Sequence, residues 1–185
     1  MRAAMLLATL FCAACGSDDD TPQPLTLADA AGSYAGTFDF IPSPSDLNPA
    51  PQPERGVAVK LRIEEGRLCF DAFPTATLVR ALVGAESAEG LLPLLGTVAY
   101  EAPIGAPTAD VSQLQASLET PVLRLDVGGV LVVRITIEAP EKLRYTADGN
   151  LTCTLRTTLC QLGEGDEAGE PFPLVNELSF RVAKR

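Results

Sequence analysis

The feature that most constrains this chain is a stretch of strict alternation around one short turn. Val57, Val59, Leu61 and Ile63 alternate with Ala58, Lys60 and Arg62; beyond Glu65-Gly66, Leu68, Phe70 and Ala72 alternate with Cys69 and Asp71. Successive side chains of a strand point to opposite faces, so a period of two marks two half-buried strands. Closing the turn at Glu65-Gly66 pairs Ile63 with Leu68 and Leu61 with Phe70. Both apolar sets then share one face, and Lys60 stands opposite Asp71 on the other. A slip of one residue would turn every one of these apolar side chains to water.

The same period runs through most of the chain. In Ser33 to Phe40, Tyr34, Phe38 and Phe40 share a face with Gly36 between them, a glycine placed where strands bend or backbones approach closely. Residues 41–53 hold five prolines and read as a long, extended loop. Residues 75–95 change period: Leu78 and Leu82, Val79 and Val83 recur four apart, Gly84 offers a stop and Ser87 a cap for a second short turn. This predicts one or two short helices against the sheet. Strands resume at Thr97 to Glu101 and within Gln113 to Val127.

Two later hairpins are set by matching faces. A two-residue turn at Gly128-Gly129 mixes apolar with charged positions, whereas a three-residue loop, Val127 to Gly129, pairs Leu131 with Leu125 and Val133 with Leu123. A three-residue loop at Ala147-Asp148-Gly149 likewise pairs Tyr145 with Leu151 and Leu143 with Cys153. Glycine falls last in each loop, where a bulged turn needs positive φ. An acidic, glycine-rich loop (163–170) precedes a final strand, Asn176 to Ala183. The expected fold is mainly β: an antiparallel up-and-down barrel, or barrel-like sheet, of about eight strands with a short helical insert, since closure removes exposed edges.

The amino terminus carries a different signal. After Arg2, the uncharged segment Ala3 to Ala14 is too short for a bilayer, which needs roughly 20 apolar residues, but suits the core of a secretory signal. It ends in Ala13-Ala14 directly before Cys15. This resembles the bacterial lipobox, with Cys12 standing where a branched aliphatic residue is usual. The resemblance implies that residues 1–14 are removed and that Cys15 is acylated and inserted in the bilayer. It also makes residues 15–31 a flexible tether to a β domain over 32–185. By the same resemblance, Gly16 favours the outer membrane, facing the periplasm or the cell surface. Asp18-Asp19-Asp20 reads as solvated spacer.

Composition narrows the chemistry. The chain has no histidine, which excludes Ser-His and Cys-His nucleophile pairs and His-ligated zinc or haem. A net charge of −10 repels phosphates, so nucleic acid is not an expected partner. No close-spaced cysteine pair marks a metal site, and no cofactor is expected. Beyond Cys15, the domain holds Cys69, Cys153 and Cys160. Parity puts Cys153 on the inward face with Leu151 and Leu155, and Cys69 and Cys160 outward. An oxidising compartment then permits a Cys69–Cys160 disulfide, with Cys153 a small core residue.

The lipobox, the first strand Tyr34-Ala-Gly36-Thr-Phe38, the hairpin end Phe70 to Pro74 and the insert Leu78 to Gly84 together resemble the small lipocalin-like, or calycin-like, bacterial lipoproteins of unknown function. The resemblance spans residues 32 to 183 and implies a barrel without implying an activity. Three functions follow as expectations. The first is a membrane-anchored binding or scaffold module, with inward aromatics Tyr34, Phe38, Phe40 and Phe70 filling the core or lining a site for a small apolar ligand. The second is a structural envelope protein whose acidic and proline loops dock a partner protein. The third is a carboxylate-dependent hydrolase, motivated only by the 24 acidic residues. With no sequence context marking a catalytic residue, an enzyme is not the expected outcome.

Overall fold

The computed structural model describes residues 22–127, 131–139, 141–162 and 168–185. Cys15, Asp18 to Asp20, Gly128-Gly129 and residues 163–167 lie outside them. The chain opens with a short helix α1 (Leu27–Ala30) and strand β1 (Gly32–Ile41), then β2 (Glu54–Glu64) and β3 (Arg67–Phe70). Helices α2 (Thr75–Val83) and α3 (Ala85–Leu91) and a 3-10 turn, Leu92–Leu94, lead to β4 (Tyr100–Pro103), β5 (Thr108–Ala109) and β6 (Gln113–Ala116). The remainder is β7 (Val122–Val127), β8 (Leu131–Glu138), β9 (Leu143–Thr146), β10 (Asn150–Leu162) and β11 (Ala168–Lys184).

All pairings are antiparallel, and one path runs β4-β3-β2-β1-β11-β10-β9-β6-β5. The sheet curls into a half-barrel, and its β4 edge reaches the chain just past β6 through an antiparallel bridge, Ile104 to Leu118. Gly105 N–H donates to Ser117 O at 2.8 Å and Glu119 N–H to Pro103 O at 3.0 Å. Neighbours around the curl follow chain order on both sides of β1, the meander that the alternation predicts. Inward positions form one core: Tyr34, Phe38 and Phe40 of β1, Val59, Leu61 and Ile63 of β2, and Leu151, Cys153 and Leu155 of β10, with Leu178, Phe180 and Val182 of β11.

The first hairpin has the expected register, Ile63 to Leu68, around Glu65 (φ 49) and Gly66 (φ 73). Two positive φ values match the right-handed twist of the strands that a two-residue turn must join. Asp71 lies beyond β3 and pairs with the Arg62 guanidinium rather than standing across from Lys60. Tyr145 faces Leu151, with Gly149 at φ 82, also as expected. The β7–β8 hairpin departs: Leu125 faces Val133 and Val127 faces Leu131. That is two residues from the expected register. A two-residue shift leaves every side chain on its face, so alternation alone does not distinguish the two.

Four further expectations are corrected. Residues 27–31 are not free tether: Ala30 is buried, Leu25 and Leu27 pack on the core, and the Tyr34 hydroxyl donates to Ala30 O. Strand β4 starts three residues later than expected, because Val98 O instead accepts from Phe73 N–H at 2.7 Å and ties that segment to the helical insert. Gly84, at φ 83, ends α2 and opens α3, so Ser87 caps nothing. Residues 168–170 belong to β11 rather than to a loop.

Gly36 explains how β1 joins the two halves of the sheet. A Cβ there would meet Arg181 O at 2.1 Å and Val182 Cα at 2.7 Å, both backbone atoms of β11. Gly36→Ala is therefore expected to cost about 1–3 kcal/mol through overpacking. Urea unfolding would read this as a lower midpoint at unchanged slope; an unchanged midpoint would mean that β11 moves aside freely.

Candidate functional site

Sequence reasoning placed four aromatics inside, and all four are there: Tyr34, Phe38, Phe40 and Phe70 are each at most 1% exposed. They do not line an open space together. Phe70 packs edge-on against Phe73 at 5.5 Å and Phe180 at 5.8 Å, and tilted against Tyr100 at 6.1 Å. Phe73 in turn meets Phe38 at 6.4 Å and Tyr100 at 5.2 Å. Edge-to-face pairs at these separations are worth about 0.5–1.5 kcal/mol each beyond their buried area. Tyr34 stands apart in a perpendicular pair with Tyr145 at 6.5 Å. The alternation expected a set of four; the structure adds Phe73, Tyr100, Tyr145 and Phe180. Phe180 and Tyr145 were legible as inward positions of alternating strands. Phe73 lies in the bend before α2, where no periodicity marks it.

Polar groups interrupt this interior at two levels. The Tyr100 hydroxyl is buried with no hydrogen-bond partner among the described residues, and burial, with the nearby Cys153 thiol second, pushes its pKa well above the ordinary phenol value. Burial likewise raises the Cys153 thiol to about 12, with Glu141 adding to it. A thiol so protonated is neither nucleophile nor metal ligand at neutral pH. Towards the ends of the strands nearest the proline loop, Thr157 and Asn176 face each other across β10 and β11. Asn176 Oδ1 accepts from Ser43 N–H at 3.0 Å, while Asn176 Nδ2 and Thr157 Oγ1 have no partner among the described residues.

The expected Cys69–Cys160 disulfide is absent, for Cys69 is a free cysteine. The registers explain why. Cys69 pairs with Arg62, far along β2 from its start at Glu54. The row through Glu54 crosses β10 at Leu155, and Cys160 lies beyond that on the opposite side. At roughly 3.3 Å per residue the two are on the order of 40 Å apart along the strands, against the ~7 Å limit of a disulfide. Parity put Cys69 outward, yet it is buried, at the strand positions between Arg62 and Glu101. Burial raises its pKa first, then Glu101 and Glu64, against the opposing pull of Arg62 and Arg67.

Several openings adjoin the sheet among the described residues. A groove of about 720 Å³ lies on the outer face, where Ala35, Ala58 and Ala183 leave the backbone lightly covered and Lys60 and Lys184 flank it. A smaller apolar cleft, about 260 Å³, runs between Phe73, Pro74, Leu92, Leu95 and Val98 and reaches the edge of the aromatic cluster. Among the described residues, no group of three or more acidic or cysteine side chains converges as metal ligands would. Among them, too, no helix is long and apolar enough to cross a membrane.

No protein-family model matches the chain, and no curated protein or solved structure matches it either. The class supported here is a curled antiparallel β domain with a packed aromatic interior.

The orphaned pair gives a direct test of whether anything occupies the inner end of the sheet. An unpaired buried hydroxyl costs desolvation without return, so Thr157→Val should leave stability unchanged or raise it by about 1 kcal/mol. Chemical denaturation measures this. A loss of that size instead would mean that the Thr157 hydroxyl is hydrogen-bonded.

Proposed function

We propose that this chain is an exported, lipid-anchored envelope protein whose curled sheet is a scaffold that presents a surface to a partner, rather than a container or an enzyme. It would be of the lipocalin-like, or calycin-like, lipoprotein type, held through Cys15 in the outer membrane. The carrying observation is the aromatic packing around Phe70: rings at 5.5 to 6.1 Å occupy the interior where a ligand would sit. An eight-stranded barrel is only just wide enough for its own side chains, so such filling leaves little room for a guest. What the scaffold offers is a ribbon. Beyond Ile41, where β1 ends, β10 and β11 continue with β8 and β7 beside them as a separate four-stranded extension.

Catalysis is disfavoured by the chemistry in hand. There is no histidine to activate a nucleophile, and the inward thiol Cys153 is held protonated. A second reading, a small apolar ligand, draws on the cleft beside Phe73. Native mass spectrometry of the purified chain separates the two: the scaffold reading expects no co-purified lipid, and a stoichiometric lipid adduct would overturn it in favour of the second.

The anchor is tested by fractionation. A single acyl chain binds membranes marginally, but two or three on one cysteine hold firmly. Cys15→Ala should therefore release the protein from the membrane fraction while the unaltered chain stays. A variant that remains in membranes removes the lipobox reading.

A further inference from the structure

The four-stranded extension has two edges, and they are treated differently. At β11, the segment from Ala168 to Asn176 runs past the end of β1 and carries Pro171 and Pro173, residues that blunt an edge because they cannot donate to another strand. At β7 no strand covers the outer edge among the described residues. Strand β7 pairs only with β8 among the described strands, contains no proline, and begins at an exposed Val122, 45% accessible. Unpaired strand edges of this length are templates for a further strand.

We propose that β7 is a self-pairing edge: two copies of this chain join antiparallel along Leu123–Val127, centred on Leu125. This deepens the reading of the extension as the presented surface and names its partner as a second copy. Three features carry it. First, the sequence Leu123-Arg124-Leu125-Asp126-Val127 is self-complementary about Leu125. Centred on Leu125, the pairing sets Arg124 of each copy opposite Asp126 of the other and Leu123 opposite Val127, with apolar positions sharing one face. Centring on Arg124 or Asp126 sets like charges together, and centring between residues mixes the faces.

Second, within the chain Arg124 stands opposite Arg134 on β8, and Arg134 opposite Cys160 on β10. This row carries two like charges and no acid, an arrangement that destabilises a sheet. In the pairing centred on Leu125, the register position opposite Arg124 is filled by the acidic Asp126 of the second copy. Third, the overall charge of −10 disfavours indiscriminate self-association, so pairing requires this local match.

The test uses charge reversal on the full chain recovered from expressing cells in detergent, with mass measured by light scattering across a concentration series. The unaltered chain should pass from monomer to dimer. Arg124→Asp and Asp126→Arg should each weaken the dimer roughly tenfold or more, because both symmetry-related pairs become repulsive. Combining the two changes should restore it, with the charges exchanged. Arg124→Asp places an acid opposite Arg134, so the variant keeps its own fold while losing the dimer. As a second readout, Leu125→Cys should crosslink copy to copy on oxidation, since directly opposed strand residues lie within disulfide reach. A strictly monomeric chain, a dimer indifferent to both reversals, or a double variant that fails to recover overturns the proposal. Membrane release on Cys15→Ala is read separately, so failure of the anchor leaves this result standing and the converse.

Discussion

The whole sheet depends on the close approach of β1 to β11 at Gly36. Strand β1 is the one element that hydrogen-bonds both the first strands of the domain and the last, with Phe38 opposite Val57 on one side and Phe180 on the other. It can hold both only because nothing projects from Gly36 into the β11 backbone, where a methyl group would lie 2.1 Å from Arg181 O. With β1 fixed between its neighbours, the inward set of each strand points at the same dry volume. The aromatic rings of Phe38, Phe70, Phe73, Tyr100 and Phe180 then have one another as neighbours instead of water.

How far this was legible in the sequence depends on what alternation can encode. It encodes faces, and the inward positions of β1, β2, β10 and β11 could all be read from it. It encodes register only to within two residues, which is why the Glu65-Gly66 and Ala147 to Gly149 turns were placed and the β7–β8 hairpin was displaced. It does not encode what crosses above a strand. Cys69 occupies an outward position and is nonetheless buried, and only the pairing of β4 with β3 puts Glu101 beside it. Nor does it register distance between strands far apart in sequence, so the Cys69–Cys160 pairing was compatible with parity and incompatible with geometry. The tether misled for a related reason: Leu25, Leu27 and Ala30 are too few to show a period, yet they pack against the core.

The functional reading follows from what the interior lacks and what the exterior offers. Among the described residues the aromatic rings pack on one another, the Cys153 thiol has its pKa raised by burial, and the Tyr100 hydroxyl is buried without a partner. The extension past Ile41, in contrast, leaves its β7 edge without a second partner strand among the described residues. Its opposite edge, on β11, carries Pro171 and Pro173 instead.

Lys184 has one more effect. Its Nζ donates to Asp29 O at 2.8 Å and lies 5.9 Å from the centre of the Tyr145 ring, while its backbone N–H donates to Gly149 O at 2.9 Å. The amino-terminal helix and the carboxyl end are thereby fastened at one pole, and the extension leaves from the other. Tension applied between the two poles would run parallel to β1, β10 and β11. Such loading shears many backbone hydrogen bonds together instead of peeling them singly, the geometry in which a sheet resists being pulled apart for longest.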